Sequence, residues 1–304
     1  MMYNYTWHQR IKGILVGAYA CMVLAALEGC QGCNTGRVAP SPSEVSSETD
    51  MSNLGGIPNL GITCYMNSVL QIIAKLYPNV FSGQRGNLAR AGQVIVRKIK
   101  DDQEYVTIGE AEAFYKAFSS EASPSLFSEN GQVSADEFID NIWNRLGLPT
   151  IDNMLGAPYM TLGLRYPIDN GERTMSELLD AYAAAYQIDP AKCLNHIIPI
   201  KLNRNDDSNP ESPGTAKINT VVQKALELKI TQQHIPMLSK KEINYRLNGF
   251  IVHSGSGSQG HYFTYINQNG QWKLYDDARV QKVSPAEAKK AAESAYLYFY
   301  RKTS

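Results

Sequence analysis

The chain has 304 residues, a formal net charge of zero and a hydrophobic content of 43%. Length and apolar content support a buried core in one large domain or two small ones. The charge balance offers no basis for a nucleic-acid partner or for an anionic membrane surface.

The first thirty residues stand apart. His8, Arg10 and Lys12 precede the apolar run GILVGAYACMVLAAL, from Gly13 to Leu27. That run falls short of the roughly 20 residues that span a bilayer comfortably, and has the length of a signal-peptide core. It closes in Leu27-Glu28-Gly29-Cys30, which resembles a bacterial lipoprotein cleavage box except for the charge at Glu28. A cleaved signal and a retained signal anchor both fit, over 1–30. Residues 31–53 are Ser/Pro/Thr-rich without apolar period and read as a flexible linker. The cysteines are Cys21, Cys30, Cys33, Cys64 and Cys193. They are too few and too uneven for a disulfide framework. Cys30 and Cys33 form a CxxC, but no second pair or nearby histidine completes a zinc site.

NLGITCYMNS, from Asn59 to Ser68, opens the next element. Val69, Ile72, Ile73 and Leu76 mark one face of a helix that Pro78 ends. Thr63 is placed as its N-cap, which puts Cys64 in the first turn, where the helix dipole and unpaired N–H groups favour a thiolate. A buried cysteine used as a small apolar side chain fits the same stretch. A reactive cysteine needs a base, so the choice depends on the rest of the chain.

Further along, Ser134 and Glu137 form a capping box ahead of the apolar face Phe138, Ile139, Ile142, Trp143 and Leu146. Thr174-x-x-Glu177 opens a second helix, and Ser284-Pro285-x-Glu287 a third. Strands are expected over Ile197–Leu202, Phe250–His253, His261–Ile266, Trp272–Tyr275 and Ala295–Tyr300, with a polar loop from Asn203 to Lys217. Asn269-Gly270 between two alternating runs is a strong hairpin signal. A two-residue turn there pairs His261 with Ala278 and Phe263 with Asp276. Asp276 then becomes the diagonal neighbour of His261 on one face, and Asp277 falls on the other face. Cys64 as nucleophile, His261 as base and Asp276 as its orienter make the constellation of a cysteine hydrolase. Asn59, five residues before the cysteine, is placed to donate to an oxyanion.

GIPNLGITCYMNSVLQ (Gly56 to Gln71) and NGFIVHSGSGSQGHYFTYINQNGQWKLYDDARV (Asn248 to Val280) resemble the cysteine and histidine boxes of the ubiquitin-specific proteases, deubiquitinases of the papain-like cysteine peptidases. QVSADEFI, from Gln132 to Ile139, resembles their intermediate box more weakly. The resemblance covers both ends and the middle of 54–304 and departs at Ile62, where the family often has a polar or small residue. It implies an α+β, papain-like fold with a helical lobe, a mostly antiparallel sheet lobe and reduced fingers. It assigns Cys64 as nucleophile, His261 as base, Asp276 as third member, Asn59 to the oxyanion and Asp277 to a supporting role. His253 and Gly260 match without chemistry, and His253 is expected to pack. Only Cys193 lies between the boxes, so the family's four-cysteine zinc site is not expected, nor any cofactor. Ser134 stands where the family usually has Asp, on a helix that meets the modifier's tail. The implied partners are ubiquitin or a ubiquitin-like modifier and modified proteins, with the membrane reached only through 1–30. The implied activity is hydrolysis after a Gly-Gly tail, with Gly255, Gly257 and Gly260 giving the loop beside His261 freedom to close over it. A protease for another modifier, a related papain-like acyltransferase and a silent ubiquitin-binding module are the alternatives. The N-terminal signal points to an exported or anchored bacterial protein acting on a host's modifiers.

Overall fold

The computed structural model describes residues 54–121, 133–148, 162–165, 171–185, 196–206, 216–234, 238, 240–256 and 260–303. The signal and linker over 1–53, Cys21, Cys30, Cys33, Cys193 and Gly257 lie outside them. Among the described residues no helix is long and apolar enough to cross a membrane.

Six helices and twelve strands are present among the described residues. The helices are α1 (Cys64–Leu76), α2 (Asn87–Ile99), α3 (Ile108–Glu121), α4 (Ala135–Arg145), α5 (Met175–Ala185) and α6 (Pro285–Ala292). The strands of the main sheet are β1 (Leu162–Arg165), β3 (Ile197–Asn203), β7 (Glu227–Thr231), β8 (Glu242–Gly255), β9 (Gly260–Gln268), β10 (Gln271–Asp276), β11 (Arg279–Val283) and β12 (Leu297–Lys302). They run in the order β1-β3-β12-β8-β9-β10-β11, with β7 also on β8, and only β1–β3 is parallel. The short strands β2 (Arg173–Thr174) and β6 (Val222–Gln223) pair with each other, as do β4 (Asn205–Asp206) and β5 (Ala216–Lys217). The architecture is therefore α+β with a mostly antiparallel sheet, as expected.

Strand alternation divides the core in two. On one face Ile251, Tyr262, Ile266, Tyr275, Leu297 and Phe299 pack against α1–α4. On the other, Phe250, Val252, Tyr265, Trp272, Tyr298 and Tyr300 pack with α5 and α6. Helices thus cover both faces, beyond the single helical half read from the sequence. Helix α1 lies at the centre of the first core, with only Lys75 of its thirteen residues not buried.

The helix starts at Ser134, Thr174 and Ser284 are where the capping pattern puts them. Ser134 and Thr174 make reciprocal boxes with Glu137 and Glu177, and Ser284 accepts from the Glu287 N–H with Pro285 in the first turn. Thr63 differs. It occupies the N-cap position, but its hydroxyl accepts from the Leu60 N–H at 2.9 Å and makes no capping bond. The Asn203–Lys217 segment is not wholly loop, because β4 and β5 close its ends into a two-residue ladder. The last strand starts at Leu297, two residues later than Ala295: the Ala295 N–H still bonds the Ala292 carbonyl at the end of α6, while Tyr296 already bonds Ile251 and Leu202 across the sheet.

Candidate active site

Cys64 is the first residue of α1 and only 3% exposed. The loop before it is built by Asn59. Its Oδ1 accepts from the Gly61 N–H at 2.9 Å, the Thr63 N–H at 3.1 Å and the Thr63 hydroxyl at 3.3 Å. This asparagine turn forces the chain to change direction just ahead of the helix. Gly61 takes a φ of +108° inside it, a conformation that suits only glycine.

His261 stands on β9, across the seam from Cys64. The hairpin that carries it has the expected register: Gln271 pairs with Gln268 and Tyr275 with Thr264. Asn269 and Gly270 both have positive φ, at 53° and 89°, as a two-residue hairpin turn requires. Asp276 Oδ1 lies 2.6 Å from His261 Nε2. With Nε2 on the carboxylate, the other ring nitrogen is left for Cys64, to which His261 is hydrogen bonded.

The β9–β10 ladder ends at Tyr275, and this corrects two expectations. Asp277 and Ala278 form a tight turn into β11, closed by the Asp276–Arg279 pair, so Ala278 does not face His261. Its carbonyl instead packs against Gly56, where any Cβ would overlap it. Asp277, with φ +52°, is not on the opposite face of the sheet. Strand parity stops applying at a turn, and its carboxylate swings back to lie 4.0 Å from His261 Nε2. Asp277 accepts from Asn59 Nδ2 at 2.8 Å and from Asn67 Nδ2 at 2.7 Å. Its carbonyl accepts from the Ile57 N–H at 3.0 Å.

The electrostatics favour an ion pair. Burial disfavours the Cys64 thiolate, but the His261 hydrogen bond, the Tyr262 backbone N–H and the His261 charge outweigh it, and the thiol pKa is lowered. The hydrogen bonds to Asp276 and Cys64 raise His261 to about 10, against a smaller opposing effect of burial. Asp276 is lowered, chiefly by its bond to His261. Cysteine and histidine titrate as one unit here.

His261, Asp276 and Asp277 offer ligand atoms within 4.8 Å of one another, the one group among the described residues that could approach a metal. Those atoms already serve one another and two side-chain amides, and an imidazolium has no free lone pair to give.

Sequence reasoning passed over Asn67, Gln71 and Thr264. Asn67 and Gln71 are buried at 1% and 2% on an otherwise apolar helix, and that burial of polar groups was the available signal. Gln71 Nε2 donates to the Gly55 carbonyl at 2.6 Å, and Thr264 Oγ1 to the Ser68 carbonyl at 3.0 Å. The second bond fixes α1 against β9, and with it Cys64 against His261. His253 packs on Tyr262, ring centroids 4.4 Å apart, and burial pushes its pKa down to about 4. Gly260 is required by space, since a Cβ would overlap the His253 ring and the Ser254 carbonyl.

Residues 192–300 match the family described as ubiquitin carboxyl-terminal hydrolase. Among solved structures, a chain of the Ubp8–Sgf11–Sgf73–Sus1 SAGA DUB module is 20% identical with a TM-score of 0.61, over 84% of this chain and 68% of that one. The same module bound to ubiquitin aldehyde gives 19% identity and a TM-score of 0.62, over 86% and 72%. The yeast module with a mutant Sgf73 gives 17% and 0.62, over 85% and 70%. At these identities the structural likeness establishes the fold, and the sequence match covers the C-terminal third that holds His261, Asp276 and Asp277. On that match, residues 192–300 are similar to the ubiquitin carboxyl-terminal hydrolase family, and the described fold is shared with these modules.

Proposed function

We propose that this protein is a thiol-dependent deubiquitinase that cleaves the bond after the Gly-Gly tail of ubiquitin. The observation that carries the reading is the Cys64–His261–Asp276 alignment, with Nε2 held at 2.6 Å by a carboxylate and the thiol on the other side of the ring. The family match and the ubiquitin-aldehyde complex of a similar fold support the choice of substrate.

In this reading Cys64 Sγ attacks the carbonyl carbon of the terminal glycine. The C=O π pair moves to oxygen, and N–H groups at the start of α1 meet that oxyanion. His261 passes its proton to the lysine amine as the C–N bond breaks, leaving a thioester on Cys64. It then takes a proton from water, whose oxygen attacks the thioester and releases the carboxylate and the thiolate. Asp276 keeps the ring oriented and stabilises its charge. Asn59 gives one N–H of its amide to Asp277 in this structure, which leaves the second to meet the oxyanion. Ile62, 47% exposed on the same loop, supplies an apolar contact beside the nucleophile.

Ser134 bears on which modifier is accepted. Its hydroxyl caps α4 and also bonds Asp136, so it does not replace a free carboxylate facing a basic tail. The N-terminal segment supports export or anchoring as a bacterial lipoprotein or effector, with modifiers of a host cell as targets. The test is the full chain incubated with propargylamide-terminated ubiquitin and related modifiers. A covalent ubiquitin adduct, lost in Cys64→Ala, supports the reading. An adduct with another modifier alone overturns ubiquitin as substrate, and no adduct with any overturns the enzyme.

A further inference from the structure

An open cavity of about 800 Å³ lies at the far end of α1 from Cys64. Thirteen residues of helix separate the two ends, a distance of about 20 Å. Its walls carry five cationic side chains, Lys75, Lys100, Arg246, Lys273 and Arg301, against the single acid Asp101. The site is independent of the chemistry at Cys64.

Two of these cations are already neutralised in part. Lys75 and Lys273 share Asp102, each at 2.7 Å, and Tyr275 also donates to that carboxylate at 2.8 Å. Among the described residues Lys100 has only the exposed Asp101, at 3.7 Å. The arginines are different. Arg246 on β8 and Arg301 on β12 are direct cross-strand partners, so their side chains leave the sheet on the same face. Like charges placed opposite one another destabilise a sheet unless something neutralises them. Glu227 flanks Arg246 on its other side, but no ion pair joins them among the described residues. The Nε–H of Arg301 is buried and has no hydrogen-bond partner among the described residues. The Tyr77 hydroxyl, buried and equally unpartnered, feels the Arg301 charge, but a neutral phenol cannot balance it.

A bulge adds to the site. Phe299 pairs with Gly249 and Tyr300 with Leu247, so Asn248 is the extra residue and lines the cavity. Bulges of this kind re-aim a side chain. Asn267 and Gln268 also line the wall, while the Asn248 and Gln271 amides already donate to the Asn267, Trp272 and Val283 carbonyls.

We propose that this cavity binds an anion bearing more than one phosphate group, held between Arg246 and Arg301 with Lys100 at the rim. Guanidinium groups take phosphate oxygens in pairs, and one such ligand would relieve the arginine repulsion. The volume suits a ligand larger than a single phosphate. The same chemistry is offered by a soluble polyphosphate and by a phosphoinositide headgroup.

The test is calorimetric titration of the full chain with inorganic pyrophosphate, and co-sedimentation with phosphatidylcholine vesicles with and without a phosphoinositide. Pyrophosphate should bind, and Arg246→Gln and Arg301→Gln should each weaken it by about tenfold or more. Phosphoinositide-dependent sedimentation that pyrophosphate competes away assigns the ligand to lipid, and its absence alongside pyrophosphate binding assigns it to a soluble phosphate. Arg246→Glu gives Arg301 a counter-charge, so it should abolish binding while raising Tm. No binding in either arm, or binding that all three variants leave unchanged, overturns the proposal.

Discussion

Asn67, one turn into the helix that begins with Cys64, donates to Asp277 Oδ1 at 2.7 Å, while Asn59 holds the other oxygen at 2.8 Å. The loop before the nucleophile and the first turn after it are thus tied to one carboxylate. That carboxylate belongs to the turn that ends the base's hairpin. Asn67 also bonds the Ile57 and Pro58 carbonyls at 3.3 Å, so the cysteine loop, α1 and the β10–β11 turn form one hydrogen-bonded unit. The two neighbouring aspartates consequently do different work. Asp276 holds the ring, and Asp277 holds the frame.

Replacing each aspartate separates these tasks. Asp276→Ala should lower kcat more than Asp277→Ala, because only Asp276 bonds the ring directly, at 2.6 Å against 4.0 Å. Asp277→Ala strands two amides and loosens the loop, so its signature is lowered Tm together with impaired turnover. Steady-state kinetics and thermal melts of both variants distinguish the two. A larger kcat loss at Asp277 with unchanged Tm would show that Asp277 is the acid that orients His261 during turnover.

Asn59 shapes the loop, and in the proposed mechanism its amide also meets the oxyanion. Asn59→Ala should reduce turnover by about 10²–10³ if its amide meets the oxyanion. The same change removes the three acceptor bonds that shape the Gly61–Thr63 turn. Asn59→Asp keeps an acceptor for those bonds and removes the donor, but sets a second carboxylate against Asp277. A loss of turnover in Asn59→Asp at unchanged Tm assigns the effect to the donor. A near-normal rate in Asn59→Asp would confine Asn59 to building the loop.

Much of this site was legible in the sequence. The hairpin could be read because Asn-Gly admits one tight turn, and that turn fixes the pairing of every residue back to Thr264. Asp276 followed from it. Asp277 did not, because parity holds only while the strand continues, and the chain leaves β10 at Asp276. Helices α2 and α3 and strands β7 and β11 were not anticipated. Strand β11 has exposed or half-buried residues at four of its five positions and gives little alternation to read. Thr63 matched the N-cap preference, but Asn59 had already shaped the loop and turned the hydroxyl away. The buried Asp102 junction joins residues 75, 102, 273 and 275, whose pairing depends on tertiary contact and leaves no local pattern.

Activity should have a broad pH window set by the coupled pair. The Cys64 thiol is lowered, so the thiolate persists to lower pH than an ordinary cysteine would allow. His261 is raised to about 10, so the imidazolium persists until the solution becomes strongly alkaline. The reactive ion pair therefore exists between those limits and is lost by thiolate protonation below and by imidazolium deprotonation above. Iodoacetamide alkylation of Cys64 followed against pH reports the lower limb, and kcat/KM reports both. Asp276→Asn removes the largest cause of the raised histidine value, so the alkaline limb should move to lower pH. An alkaline limb that stays in place would mean that it does not belong to His261.

Asp136 tests how the helical side is fastened to the sheet. It is 3% exposed on α4 and accepts from Lys201 of β3 and from the Tyr296 hydroxyl just before β12. Burial opposes its charge, but Lys201, Tyr296 and Ser134 outweigh that and hold its pKa below the usual carboxylate range. A depressed folded-state pKa contributes stability above the unfolded value, and that contribution is lost as pH falls through the folded value. Asp136→Asn should therefore destabilise the protein near neutral pH and flatten its acid unfolding. Removing one member of a buried pair costs about 3–5 kcal/mol when the other stays buried. The Lys201 side chain is 31% exposed and can reach water, so a loss of about 2 kcal/mol is expected. Urea unfolding at neutral and acid pH measures both effects. Adding Lys201→Met should recover part of the loss, because it removes the stranded charge. If Asp136→Asn unfolds at the same urea concentration as the parent, the pair does not fasten α4 to the sheet.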